Sequence, residues 1–183
     1  MRRLASGAAS VLAAVALATG CGPGPSGPDP STTSESLAPE HQFDPAATTI
    51  TYAFTDSSVP PEYHRSFTLT VEGGVGTIVV DSYGDETARD EQEVSSAVVE
   101  DLVDAYNAGE LAGVFGWEAA DGGGCDGGRT FALALENDTE VAEASLLQCA
   151  GDNADLLQAL TDAADPLLDA FDIESLTEGR YEP

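Results

Sequence analysis

Gly73-Gly74 stands between two runs in which apolar and polar residues alternate, and no other feature of this 183-residue chain narrows its fold so far. Two consecutive glycines accept the positive φ that a tight two-residue turn requires. The period-two runs on either side therefore predict a β-hairpin over residues 63–72 and 75–83. With Glu72 opposite Val75, Val71 faces Gly76, Leu69 faces Ile78 and Phe67 faces Val80. Phe67, Leu69, Val71, Ile78 and Val80 then share one apolar face. On the other face Thr68 meets Val79, Ser66 meets Asp81 and His64 meets Tyr83.

The same reading extends along the chain. Ile50, Tyr52 and Phe54 alternate with Thr49, Thr51, Ala53 and Thr55, which predicts a half-buried strand. A further strand near residues 87–94 carries Arg89-Asp90-Glu91, a composition suited to a sheet edge. Val94, Val98, Leu102, Ala105 and Tyr106 keep helical spacing, with Ser95 or Ser96 to cap the start and Gly109 to stop it. Residues 129–136 and 139–149 read as a second hairpin around a two-residue Asn137-Asp138 turn. Asn153 then caps a helix through Leu156, Leu160, Ala163, Ala164, Leu167 and Phe171. Pro166 should break or kink this helix, with Asp165 capping a restart. The order β-ββ-(β)-α-ββ-α predicts an α+β domain: an antiparallel sheet of five to six strands, including two hairpins, with two helices on one face. A hairpin followed by a helix occurs twice, which fits either an internal duplication or the simple recurrence of common units.

The N-terminus has a different composition. Arg2 and Arg3 precede an Ala/Val/Leu run over residues 4–19, shorter than the ~20 apolar residues of a membrane-crossing helix. It closes on Ala18-Thr19-Gly20-Cys21, which resembles the lipobox of bacterial lipoproteins, with Leu17 one place earlier than the commonest pattern. The resemblance implies lipid on the Cys21 sulfur, cleavage just before it, and a chain anchored in the cell membrane at its extracytoplasmic face. Two or more acyl chains, such as palmitate, hold a protein stably where one does not. Residues 1–20 are then the signal peptide. Residues 21–48 are the lipidated cysteine and a Gly/Pro/Ser linker too poor in apolar groups to fold, with a reach on the order of 30 Å. Residues 49–172 are the single domain and 173–183 a C-terminal tail. His41, in the linker, reads as solvated. The segment from Tyr52 to Thr68 resembles uncharacterised actinobacterial secreted proteins, which implies no activity.

Charge bounds the partners. The chain has no lysine, six arginines and 33 acidic residues, a formal net charge of −27. Phosphate-backbone binding needs clustered cations, so nucleic acid is excluded as a partner, and so is attraction to an anionic lipid surface. The lipid bilayer is reached through the N-terminal lipid instead. The acidity itself suits the composition of a GC-rich, salt-adapted actinobacterium. With Cys21 lipidated, Cys125 and Cys149 remain, and an extracytoplasmic compartment favours a disulfide between them. A two-residue turn at Asn137-Asp138 brings position 125 to within one place of facing Cys149, so the bond would close the open end of that hairpin. A metal site is the competing reading, but two cysteines with no nearby histidine lack the usual ligand set.

Few residues offer chemistry. His64, Ser66 and Asp81 fall on one face of the first hairpin and superficially combine imidazole, hydroxyl and carboxylate. A solvated polar ladder is the plainer reading, and no nucleophile elbow accompanies them. Arg65 falls on the apolar face, where an ion pair with Asp56 or another neighbouring carboxylate would fix the Pro60-Pro61 loop; an anion-binding role is its alternative. Trp117 reads as a plug for the core, with a binding hot spot as its alternative. The Gly-rich loop at residues 121–128 lacks the Gly-Lys-Ser/Thr of a phosphate cradle and reads as a connection. No cofactor, metal or catalytic residue is assigned. The functional expectation is a lipid-anchored binding or interaction module of the cell envelope with an unidentified envelope protein or ligand as partner, possible binding residues being Arg65, His64 and Trp117. The alternative is a small anchored hydrolase using His64 and Ser66, which needs the two within hydrogen-bond reach.

Overall fold

Ile50, Tyr52 and Phe54 are wholly buried, while Thr49, Thr51 and Ala53 between them are half-buried, so the alternation has become strand β1 (Thr49–Thr55). The computed structural model describes residues 41–117, 127–148 and 153–181, all within the compact unit Glu35–Pro183. Strands β2 (Ser66–Glu72) and β3 (Val75–Ser82) flank Gly73-Gly74 in the expected register, from Ser66 opposite Asp81 to Glu72 opposite Val75. Both glycines take positive φ, 58° and 82°, as that turn demands. The edge strand near residue 90 is present as β4 (Asp85–Glu93), with a bulge opposite Val80 and Asp81. Strands β5 (Arg129–Glu136) and β6 (Val141–Gln148) complete an all-antiparallel sheet of order β4-β3-β2-β1-β5-β6. The fold is the expected α+β arrangement of a six-stranded open sheet and helices.

Helix α1 (Ser96–Asn107) buries Val99, Leu102, Val103 and Tyr106, while Val94 fills the core just before it begins. Val98 and Ala105 lie at the stripe's margin, so the buried face is rotated towards Val99 and Val103 relative to the expected one. Gly109 stops the helix at φ 78°, with the Glu110 amide donating back to the Ala105 carbonyl at 3.0 Å. A single turn, α2 (Ala112–Phe115), follows. Helix α3 (Ala154–Leu168) buries Leu157, Leu160, Thr161, Ala164, Leu167 and Leu168. It runs through Pro166 without a break or restart, against expectation. Pro166 sits in the last turn, and the Asp169 amide still donates to Asp165 at 3.1 Å beyond it. Asn153 stands at the N-cap position, but its Nδ2 donates to the Leu147 carbonyl instead of its side chain capping the helix.

The second hairpin differs from the expectation in register. Its turn is four residues, not two: Glu136 pairs with Val141, and Arg129 with Gln148. The Asn137 Oδ1 accepts from the Thr139 amide, the Thr139 hydroxyl and the Glu140 amide, and the Asn137 amide donates to the Glu140 carbonyl. This self-bonded asparagine makes a longer turn than Asn-Asp alone suggests. The spacing argument for the disulfide therefore changes by two places. Cys125 and Cys149, like Cys21, lie outside the described residues.

Both ends of the domain reach beyond the expected bounds. Phe43 is buried against Tyr106 and exchanges two hydrogen bonds with the Asn107 side chain, 2.9 and 2.8 Å long. His41, expected to be solvated, places its Nδ1 3.0 Å from the Glu140 carboxylate. At the other end, residues 173–181 strap the core. Helix α4 (Ile173–Leu176) leads to Thr177, which is wholly buried, and to Tyr181, whose ring packs edge-on against Phe54 and Phe67. The Tyr181 and Tyr52 hydroxyls meet at 3.0 Å, and burial raises both phenol pKa values above the ordinary tyrosine range. The helices and the inward strand residues share one hydrophobic core, which takes in no residue of the opposite face. That face carries half-buried Thr51, Ala53, Thr70, Thr77, Val79, Ala132 and Ala134.

Candidate functional site

Chemistry-bearing side chains gather where β1 ends, β2 begins and β3 turns into β4. The chain leaves β1 at Asp56, crosses the Pro60-Pro61 loop, and returns through His64 and Arg65 into Ser66. Prolines pre-set φ there and remove donors, so other groups must hold the loop down. The Tyr63 and His64 amides both donate to the Pro60 carbonyl. The Pro61 carbonyl accepts from the Ser82 hydroxyl at 2.8 Å and the Arg65 guanidinium at 3.4 Å. The Tyr83 hydroxyl donates to the Val59 carbonyl at 2.6 Å.

Tyr83 and Gly84 form the two-residue turn between β3 and β4, both at positive φ, 54° and 91°. A left-handed tyrosine is costly unless its surroundings fix it. Here the Asp81 carboxylate accepts from the Gly84 amide, and the Tyr83 ring stacks on the His64 imidazole with centroids 3.9 Å apart. The register that places His64 beside Tyr83 was legible in the sequence; the left-handed tyrosine was not.

His64, Arg65 and Ser66 are all buried. His64 Nε2 lies 3.3 Å from Ser66 Oγ, within the reach a hydrolase reading demands. The direction of the bond is set from the other side of the ring. The Tyr83 amide donates to His64 Nδ1 at 3.3 Å, so Nδ1 carries a lone pair and the proton of the neutral imidazole is on Nε2, aimed at Ser66. A histidine in that tautomer donates to the serine hydroxyl instead of accepting from it. Ser66 Oγ also accepts from the Asp56 amide at 3.0 Å. Among the described residues no carboxylate orients the imidazole: Asp81 serves Gly84, and Asp56 serves Ser57, Arg65 and Arg129.

Of the partners expected for Arg65, Asp56 or another carboxylate, the structure shows the second, and Asp56 pairs with a different arginine. Arg65 pairs with Glu178 at 2.8 Å, and its other terminal nitrogen donates to the His64 carbonyl at 2.7 Å. Asp56 accepts from the Arg65 backbone amide and pairs with Arg129 at 3.4 Å. Arg65 does fix the Pro60-Pro61 loop, through the Pro61 carbonyl. Glu178 is in left-handed conformation at φ 55°, followed by Gly179 at 70°, which turns the C-terminal strap back towards the guanidinium. Nothing in the local sequence joins residues 65 and 178; only the closed fold does.

Beside this cluster is an open depression of about 430 Å³ on the sheet face opposite the core, lined by Asp56, His64, Ser66, Asp81, Tyr83 and Leu147 among others. Trp117 is half-buried and packs against the core, away from the polar cluster's hydrogen bonds. Of the Gly-rich loop, only Gly127 and Gly128 are described, and both line the depression. Among the described residues no three His, Cys, Asp or Glu side chains converge as a metal site, and no helix is long and apolar enough to cross a membrane. No family model matches the chain, and no curated protein matches it in sequence.

Proposed function

We propose that this chain is an extracytoplasmic lipoprotein, lipid-anchored at Cys21, whose folded domain is a binding or interaction module of the cell envelope at the end of a flexible tether. The observation that carries the non-catalytic reading is the hydrogen bonding of His64. With Nδ1 accepting from the Tyr83 amide, the Nε2 proton points at Ser66, and the pair braces the Pro60-Pro61 loop against the β3–β4 turn. This favours the module over the alternative, a small hydrolase using His64 and Ser66, since a base that already holds a proton towards its nucleophile has no task there. The depression beside Tyr83 and the small-residue open face are the surfaces such a module offers.

The test is photocrosslinking on intact cells, with crosslinkers placed singly at exposed Thr68, Tyr83 and Val141. A recurrent partner from any one site supports the module. No adduct from any site, with turnover of an ester panel that His64→Ala abolishes, favours the hydrolase. The anchor is tested separately: Cys21→Ala should release the protein from the membrane, and retention would overturn the lipid assignment.

A further inference from the structure

The two edges of the sheet are built differently. Strand β4 carries charge at six of nine residues, Asp85, Glu86, Arg89, Asp90, Glu91 and Glu93, and a bulge interrupts its ladder. Both devices keep a sheet edge from pairing with other chains. Strand β6 has neither. Its ladder with β5 is unbroken from Arg129–Gln148 to Glu136–Val141, and it carries one charge, Glu143. Val141 is 54% exposed, and Glu143 and Ser145 are exposed as well. Among the described residues, the main chain from Val141 to Leu146 bonds to nothing outside β5; further along, the Leu147 carbonyl accepts from the Asn153 side chain and Gln148 is engaged as well. In an antiparallel edge strand about half of the residues turn N–H and C=O outwards. One edge of this sheet is thus guarded twice and the other is left open.

We propose that β6 is a strand-addition edge that takes an extended, cationic segment of a partner protein. The proposal deepens the interaction-module reading, on which it rests, by naming the surface and the chemistry of the partner. A second copy of the chain is the poorer occupant, since pairing β6 with itself brings two molecules of net charge −27 together. Charge complementarity selects a basic guest. A strand laid along β6 places alternate side chains on the two faces. On the core side they stand beside Ala142, Ala144 and Leu146, near α2, where apolar residues fit. On the open side they stand beside Glu143 and Ser145, near the exposed acids Glu136 and Asp138 of the hairpin end, where Arg or Lys fits. The guest is therefore a segment of alternating apolar and basic residues.

The probe is a capped decapeptide alternating Val and Arg, added to the full lipidated chain in nanodiscs. Its control has the same sequence and charge with alternate backbone amides N-methylated on the edge that would face β6. The capped peptide should bind, slow amide exchange in β6 by about tenfold or more, and leave β4 unchanged; the methylated control should bind about tenfold more weakly, a loss of ~1.4 kcal/mol. Ser145→Pro in the protein should weaken binding likewise, and the methylated peptide keeps the test decisive if that variant misfolds. Equal binding of the two peptides would reduce the interaction to charge and overturn the proposal. So would protection confined to β4 or the open face. Protection of β6 in the chain alone that disappears on dilution would assign the edge to a second copy and overturn it too. Failure here would leave the module reading standing if crosslinks from Thr68 or Tyr83 still recover a partner, so the two failures are distinguishable.

Discussion

Arg65 holds three groups with one guanidinium: the His64 and Pro61 carbonyls of its own loop and the distant Glu178 carboxylate. These bonds differ in weight. The carbonyls lie under a side chain only 11% exposed, whereas that of Glu178 is 63% exposed. Exposed ion pairs contribute ~1 kcal/mol at most, while hydrogen bonds from a buried charge contribute about 1.5–3 kcal/mol. Arg65→Met should therefore lower unfolding stability by roughly 2–3 kcal/mol, and Glu178→Gln by no more than ~1 kcal/mol. Urea unfolding of both variants checks the order; equal losses would make the ion pair the principal contact. Tyr83 allows a similar separation of effects. Tyr83→Phe keeps the His64 stack and removes only the bond to Val59, so it should cost about 1 kcal/mol. Tyr83→Ala also loses the stack and keeps the left-handed φ, so the same unfolding assay should show a larger loss.

At the scale of elements, packing is close where β3 passes under Val94, just before α1, and Phe171, just after α3. A Cβ on Gly76 would stand 2.8 Å from Val94 Cγ2 and 3.0 Å from Phe171 Cζ. Gly76→Ala should destabilise by about 1–3 kcal/mol through overpacking. Pairing it with Val94→Ala should recover part of the loss, since the two sites share one contact and cannot be additive; additive thermal shifts would place the cost elsewhere. The register that puts Gly76 opposite Val71 was legible because Gly73-Gly74 leaves one turn length and one buried face. The β5–β6 register was not, because Asn137 spends its side chain on its own turn, and that choice is invisible to alternation. Pro166 misled for a related reason: a proline in the last helical turn interrupts little of the bonding that remains. The Arg65–Glu178 pair and the Tyr52–Tyr181 contact were out of reach of any local pattern, each joining a residue in or next to the first two strands to the last ten residues of the chain. The candidate site was half legible: the residues of its first hairpin were placed correctly, but the direction of the His64 proton depends on a backbone amide from the next turn.

Taken as a whole molecule, the domain opposes its own charge. Its described ion pairs engage few of the 33 acidic residues, and α1 and α3 have no basic residue. Asp165 on α3 registers the consequence: partial burial, then repulsion from Asp162 and Asp169, raises its pKa above the ordinary aspartate value, even though its surface is exposed. The sign follows from linkage. Between the ordinary and the raised value the folded chain keeps a proton that the unfolded chain has lost, so stability falls as pH rises through that window and stays lowered above it. Asp165→Asn should consequently stabilise the domain at neutral pH, and its advantage should vanish under acid conditions where Asp165 is protonated in both states. The buried phenols act at the other end of the scale. Both are raised above 10.0, so the fold should lose stability as pH climbs past the ordinary tyrosine range, where unfolded tyrosines ionise and Tyr52 and Tyr181 do not. Tyr52→Phe should flatten that alkaline fall while costing about 1 kcal/mol at neutral pH from the lost hydroxyl pair. Salt separates the distributed repulsion from these single groups. Raising it from about 0.01 M to about 1 M shortens the screening length from ~30 Å to ~3 Å, which removes repulsion across the helical face but leaves the buried tyrosine pair nearly untouched. The melting temperature at pH 7 should therefore rise with sodium chloride, and by less in Asp165→Asn than in the parent chain. The alkaline limb should keep its midpoint in both. A melting temperature indifferent to salt would mean that the acidic face is already compensated and that Asp165 is shifted by burial alone.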